Sequence, residues 1–302
     1  MNIFVNGKAI KSNGFDENKM DDTIYFLNID ELKLSKNDAI PNIQTVRREI
    51  HHSIGSIHFE SRDDYDIISV KIPDSPNLIE PTQAIFCFLK QNQGIVIYES
   101  ESIIDPLMKQ VRENKLLSSD IPYLFFAILL RGDMGMLEDI EEEIAEIEDL
   151  IAESVAKSIP KLISKLRYSL LHLKKYYELI FALLEDMEEN VNGLFGERQL
   201  KSIHIQTNKA KRLLDAVHNL RDYVTQVRES YQAQMDLQLN SIMKVITVVT
   251  SIFLPLSLIA GWYGMNIKMP EIALPFMYPV IIILSVIVIV LCILYFKYKK
   301  WF

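Results

Sequence analysis

"LPLSLIAGWYGMNIKMPE" (Leu254–Glu271) decides how this 302-residue chain is read. The stretch is an apolar helix pattern that contains a proline and ends in Tyr263-Gly264-Met265-Asn266, and a second apolar segment follows closely. The two segments, Ile242–Tyr263 and Tyr278–Phe296, each approach the ~20 apolar residues a helix needs to cross a bilayer. Lys244 marks the inner end of the first, and Lys297, Lys299 and Lys300 follow the second. The positive-inside rule therefore places both ends of the pair in the cytoplasm and Asn266–Pro275 outside. Trp262, Tyr263 and Tyr278 suit the outer interface, and Trp301 the inner one.

Upstream of the first span no helix stop intervenes. Ile203, Leu213, Leu214, Val217, Leu220, Val224, Val227 and Leu237 keep helical spacing, and neither Pro nor Gly occurs between Gly196 and Pro255. A single helix from about Lys201 to Tyr263 would measure on the order of 90 Å at 1.5 Å per residue. That length exceeds a globular helix and implies a stalk that enters the bilayer without interruption, bundled with copies of itself.

The remainder is charged, and the division is sharp. Residues 1–240 hold nearly all of the charge, while the chain as a whole is 49% hydrophobic with a net charge of −8. The acidic balance excludes nucleic acid as an expected partner. The two cysteines, Cys87 and Cys292, supply no disulfide framework and fit a reducing compartment. The opening "MNIFVNGKAIK" lacks the apolar core of a signal peptide, so the first 240 residues are expected to stay in the cytoplasm.

Within residues 1–100, "NIFV", "TIYFLNI", "SIGSIHFES", "DIISVKI" and "AIFCFLK" read as short strands separated by Asn, Asp, Gly and Pro. A hairpin turn falls at Gln91–Gly94 and a helix at Ile103–Asn114. From Pro122 the period becomes helical, running from Tyr123 to about Ser154 with Ile140, Ile144, Ile147 and Ile151 as its apolar stripe. Pro160 opens another helix to about Asn190, and "NGLFG" breaks it at Gly193 and Gly196.

The expected division is therefore an α/β cytoplasmic domain (1–120), a helical hairpin with an acidic helix (121–196), and a stalk helix running into the first span (197–263). An extracytoplasmic loop (264–277), the second span (278–296) and a basic tail (297–302) complete it.

The second span is almost featureless, whereas the first is not. Asn240, Met243, Thr247, Thr250 or Ser251, Leu254, Ser257 or Leu258, and Gly261 follow in steps of three or four along one helix face. One reading is that the hydroxyls bond back to their own helix. The other is that the face lines a water-filled axis. Two spans cannot enclose a pathway, so a pore needs a symmetric ring of subunits. Neither span carries Asp or Glu, which argues against a dehydrated, carboxylate-held ion and against a carboxylate proton relay. A cation that keeps its water fits better, and magnesium dehydrates most reluctantly.

The sequence "MKVITVVTSIFLPLSLIAGWYGMN", then "MPE" at Met269–Glu271 and the terminal "YFKYKKWF", resembles the CorA family of magnesium and cobalt transporters in order and spacing. The resemblance by sequence covers about Asn240–Phe302 and is architectural over the remainder. It implies a funnel-shaped homopentamer in the cell inner membrane, multi-pass, both termini cytoplasmic, with first spans lining the pore and second spans forming an outer ring. Gly264, Met265 and Asn266 match the family motif at the outer mouth, where Asn266 carbonyls would bind a cation's water shell and Tyr263 would brace the loop. Asn240 resembles the inner polar ring, and Met243, Ile246 and Leu254 the apolar constriction that gates by dewetting. Pro255 reads either as a kink within the pore or as a purely structural bend.

The run Glu138–Glu153 reads as a solvated helix face or as a cation-concentrating surface. The family also implies regulation by internal magnesium at carboxylates between subunits. Asp215, Asp222 and Glu229, seven residues apart on the stalk, are the regulatory candidates, although they do not match the family's sensor pair. His51 and His52 read as strand or loop and His204 and His218 as stalk, with no zinc-site spacing. No phosphate loop or catalytic motif is present, so neither an enzyme nor an organic cofactor is expected. The expected function is passive, channel-like transport of hydrated magnesium, together with cobalt or nickel, gated by intracellular divalent cation. The competing readings are a proton-coupled zinc transporter of the ZntB type and a membrane-anchored sensor that transports nothing.

Overall fold

The computed structural model describes residues 2–5, 8–10, 21–32, 40–53, 56–73, 81–153, 158–265 and 276–299. Among these, strands β1 (Asn2–Val5), β2 (Lys8–Ile10), β3 (Thr23–Asn28), β4 (His58–Ser61), β5 (Tyr65–Pro73), β6 (Pro81–Lys90) and β7 (Gln93–Tyr98) form one sheet in the order β2-β1-β3-β7-β6-β5-β4. Neighbours are antiparallel except β3 and β7, which run parallel from Thr23↔Gln93 to Asn28↔Tyr98.

Both faces of the sheet are covered, with side chains alternating at period two. Tyr25, Leu27, Ile67, Phe86, Phe88, Ile95 and Ile97 pack with Leu32 of α1 (Ile29–Leu32) and with Ile43, Val46 and Ile50 of α2 (Ile43–Ser53). The alternate residues Ile68, Val70, Ile85, Cys87 and Val96 meet Leu107 of α3 (Glu101–Asn114) and Ile121 and Phe125 of α4 (Ile121–Leu129). Double burial explains why the central strands are almost continuously apolar. It also pushes the Cys87 thiol up to about 12.

Two elements differ from the sequence reading. His51 and His52 lie in helix α2 and not in a strand or loop, because Ile43, Val46 and Ile50 recur at helical spacing and are buried together. The helix expected from Tyr123 to Ser154 is two helices, α4 and α5 (Asp133–Glu153). They are parted at Leu130–Gly132, where Gly132 takes a φ of 90° that a residue with a Cβ rarely adopts.

The chain folds as two compact units, Met1–Asp149 with Lys157–Val227, and Leu150–Ala156 with Arg228–Phe302. In the first, α6 (Ile159–Glu188) buries Ile163, Leu166, Leu170, Leu173, Tyr177 and Ile180 at steps of three and four. Pro160 stands in its first turn, where a missing N–H costs nothing. The connection to α7 (Glu197–Tyr263) is closed by Asn190, whose Nδ2 donates to Phe195 O (2.8 Å) while its Oδ1 accepts from Phe195 N (3.0 Å).

That connection is also tied to the sheet. Asn192 Nδ2 donates to Arg62 O (2.7 Å), Tyr65 O (3.1 Å) and Asp66 Oδ1 (2.8 Å). Asp66 is wholly buried, and burial holds its carboxyl above the ordinary range. One turn into α7, Gln199 donates to Asp120 Oδ1 at 2.9 Å.

Candidate functional site

Helix α7 runs for 67 residues, or ~100 Å at 1.5 Å per residue. In its first half Ile203, Ala210, Leu213, Val217, Leu220, Val224 and Val227 are buried at helical spacing. Beyond Val227 the apolar residues change role. Leu237, Ile242, Met243, Val245, Ile246, Phe253, Leu254 and Leu258 are all exposed. Helix α8 (Met277–Tyr298) is similarly apolar and exposed. These are the two helices, among the described residues, that are long and apolar enough to cross a membrane, and almost none of either apolar window is buried within the protomer. Exposed apolar surface on this scale needs lipid or other subunits to cover it.

Within this second unit the two helices touch along one side. Cys292 Sγ lies 3.8 Å from Ser251 O, and Val248 (6% exposed) and Phe296 are buried. Lys244, Thr247, Ser251, Ile252, Pro255 and Ile259 are half-buried on the same side of α7. Met243 (59%), Thr250, Leu254 (72%), Ser257 and Gly261 are exposed on another. Of the residues expected to face an axis, Ser251 and Thr247 therefore lie at the flank nearer α8. Asn240, Met243, Ile246, Thr250, Leu254, Ser257 and Gly261 remain exposed.

The hydroxyls are already engaged. Thr247 Oγ1 donates to Met243 O at 2.8 Å, and Thr250 Oγ1 donates to Ile246 O at 2.9 Å with Thr247 O at 3.1 Å. The back-bonded reading of the sequence is thus the observed geometry for both. A hydroxyl that has spent its proton in this way still offers its oxygen lone pairs as acceptors. Pro255 sits within α7, which continues as helix to Tyr263.

The helix ends for a definable reason. Gly264 N–H closes on Ala260 O at 2.8 Å, and a Cβ at Gly264 would stand 2.7 Å from that same backbone oxygen. Only glycine fits the turn. Met265 is exposed, and its N–H reaches Trp262 O. Asn266, expected at the outer mouth, lies outside the described residues.

In the first unit, α5 presents Glu138, Asp139, Glu141, Glu142, Glu143, Glu146, Glu148 and Asp149 to solvent while Leu137, Ile144 and Ile147 are buried. Tyr223 of α7 donates to Glu148 Oε2 at 2.7 Å, and that bond is the main reason its phenol is raised to about 12. A groove of about 260 Å3 between the same helices is lined by Met134, Leu137, Glu138, Glu141, Asn219 and Tyr223. Asp215 and Asp222 are exposed on this part of α7, and Glu229 is exposed beyond it. No group of three or more His, Cys, Asp or Glu side chains among the described residues is placed to hold a metal ion.

Sequence reasoning missed Tyr223–Glu148 and the triple contact of Asn192. For the latter the only local signal was an amide beside glycine in a helix break. Its partners lie about 130 residues away, where no periodicity reaches.

An α/β domain whose last helix continues as the first of two neighbouring membrane-length helices defines a class: a two-span membrane protein. The chain belongs to the CorA-like Mg2+ transporter family, which it matches over residues 24–300. It is 28% identical over 205 residues to the cobalt/magnesium transport protein CorA of Thermotoga maritima, an alignment covering 66% of this chain and 58% of that protein. It is 33% identical over 145 residues to the magnesium transport protein CorA of Wolinella succinogenes, covering 42% and 45%. The chain thus spans little more than half the length of the first of these relatives. The fold matches the CorA magnesium transporter of Methanocaldococcus jannaschii with a TM-score of 0.81, at 19% identity, over 100% of this chain and 99% of that one. A likeness to the cytoplasmic domain of ZntB from Vibrio parahaemolyticus has a TM-score of 0.59 at 14% identity, over 78% and 98%, and speaks of fold alone.

Proposed function

We propose that this chain is the subunit of a homopentameric, passive transporter for hydrated magnesium, passing cobalt or nickel as well, in the cell inner membrane with both termini cytoplasmic. The observation that carries the reading is the exposed side of α7: back-bonded Thr250 and exposed Ser257 alternate with the apolar Met243, Ile246 and Leu254, and no carboxylate is present. Five copies facing one axis make an acceptor-lined path interrupted by apolar collars. Magnesium gives up its water reluctantly, so such a path suits an ion that crosses with its hydration shell. Membership of the family and the names of its relatives support magnesium as the cargo.

Within this reading Asn266, just past the Gly264 turn, receives the hydrated ion at the outer mouth through its neutral amide oxygen, with Tyr263 bracing the turn. Met243, Ile246 and Leu254 are the gate, and Asn240 is the inner polar ring. Internal divalent cation closes the ring through carboxylates between subunits, with Asp215, Asp222 and Glu229 as the candidates. Magnesium is then both cargo and regulator, and no organic cofactor takes part.

Proteoliposomes loaded with a magnesium-sensitive dye test this directly. Expected are uptake that needs no proton gradient, falls as internal magnesium rises, and is blocked by cobalt hexaammine, a stable mimic of a hydrated ion. Absence of flux returns the chain to the anchored-sensor reading. Proton-driven zinc uptake without magnesium uptake returns it to the zinc-carrier reading.

A further inference from the structure

We infer that Thr250 forms a ring of hydrogen-bond acceptors inside the apolar gate, a stepping stone that holds the water shell of the cation midway through the collar. The inference rests on the channel reading above and adds a specific role for one side chain. Thr250 stands four residues above Ile246 and four below Leu254, so each neighbouring collar is ~6 Å away along the helix. The stretch from Met243 to Leu254 is ~16 Å long. Without Thr250 it would offer a hydrated ion little but hydrocarbon on this face.

The orientation of the hydroxyl decides its chemistry. Its proton is committed to Ile246 O at 2.9 Å, with Thr247 O also within 3.1 Å, while the residue remains exposed on the protomer. The oxygen lone pairs are therefore left to serve as acceptors, and its own proton does not compete with them. Water bound to a divalent cation presents its protons outward and needs such acceptors. An anion's shell needs donors, which this ring withholds. The ring thus favours hydrated cations at the level where dewetting would otherwise stop all ions.

Ser285 of α8 is back-bonded in the same manner, to Ile281 O at 2.8 Å, and serves as the control for hydroxyl loss outside the gate. In proteoliposomes, Thr250→Val keeps the shape and removes the acceptor, and is expected to lower magnesium flux about tenfold, the rate equivalent of about 1.4 kcal/mol. Ser285→Ala is expected to leave flux unchanged. Thr250→Asn separates the roles, since it restores an acceptor to the ring without the back-bond. Flux near or above the parent level supports the acceptor ring. Flux as low as that of Thr250→Val, in pentamers verified by size-exclusion chromatography, assigns the hydroxyl to helix geometry and overturns the inference. Parent-level flux in Thr250→Val overturns it as well, leaving the channel reading intact, whereas a parent protein without flux removes both. If Thr250→Val does not assemble, Thr250→Ala against Thr250→Asn decides by the same outcomes.

Discussion

Asn192→Asp exchanges one atom at the base of α7 and should release the α6–α7 connection from the sheet in a pH-dependent way. In the parent, the Asn192 amide nitrogen serves three acceptors at 2.7, 3.1 and 2.8 Å: Arg62 O, Tyr65 O and Asp66 Oδ1. The substitution sets a second carboxylate oxygen against all three. Two unit charges at about 3 Å repel by ~6 kcal/mol at an effective dielectric of 20. The folded chain can escape by binding one proton, which at pH 7 costs ~4 kcal/mol for an ordinary carboxyl at 1.36 kcal/mol per unit. The penalty is therefore capped at ~4 kcal/mol at pH 7 and shrinks as pH falls, when one carboxyl donates to the other. Asn192→Ala removes the donors without adding charge and costs ~1–3 kcal/mol, with little dependence on pH. Against a whole-chain stability of ~5–15 kcal/mol, the first variant opens this junction before it unfolds the protein. Hydrogen exchange of the whole protein in lipid nanodiscs, followed on peptides covering 58–73 and 189–199, reads the opening against the parent at each pH. Equal protection in Asn192→Asp and parent at pH 8 would refute the reasoning, as would a loss matching that of Asn192→Ala at every pH.

The gate is tested by Met243→Asn or Leu254→Ser. Leu254 is 72% exposed, so within the protomer the change forfeits only a fraction of the ~1.5–3 kcal/mol of a fully buried leucine, and pentamers should persist while flux rises at high internal magnesium. Intact pentamers with unchanged or lower flux would dismiss the collar. Asn266→Ala should reduce uptake severely while pentamers still assemble, and near-normal flux would remove the outer ring. Asp66 is held above its ordinary carboxyl value by burial, so the folded state binds its proton more readily than the unfolded one. Its contribution therefore falls as pH rises from about 4 through the raised value. Asp66→Asn should flatten that segment of the melting-temperature profile, and an unchanged slope relative to parent would contradict it. Tyr177→Phe removes the 2.9 Å bond to half-buried Asp133 and should cost ~1–3 kcal/mol, read by thermal unfolding.

The sequence by itself determined the parts that depend on local order. Two apolar runs of bilayer length, an uninterrupted helical period before them, and strand runs closed by Asn, Gly and Pro define the α/β, long-helix and two-span plan. The turn after Tyr263 is local as well, and it closes at Gly264, where a Cβ would meet the Ala260 carbonyl oxygen. Helix α2 was equally local in origin, yet its charged residues between Ile43, Val46 and Ile50 disguised the period until the sheet face they cover was known.

Tertiary structure alone decided which side of α7 meets α8. Val248 and the Ser251 carbonyl face that neighbour and leave Met243, Thr250 and Leu254 exposed, although all five belong to one apolar, hydroxyl-bearing run. It alone fixed that Asn192 joins a helix break to Arg62, Tyr65 and Asp66. Helical and strand periods report neighbours within a turn or a pleat, whereas these contacts join residues 41 to 130 positions apart. Their partners are chosen by packing, which no single stretch of sequence contains.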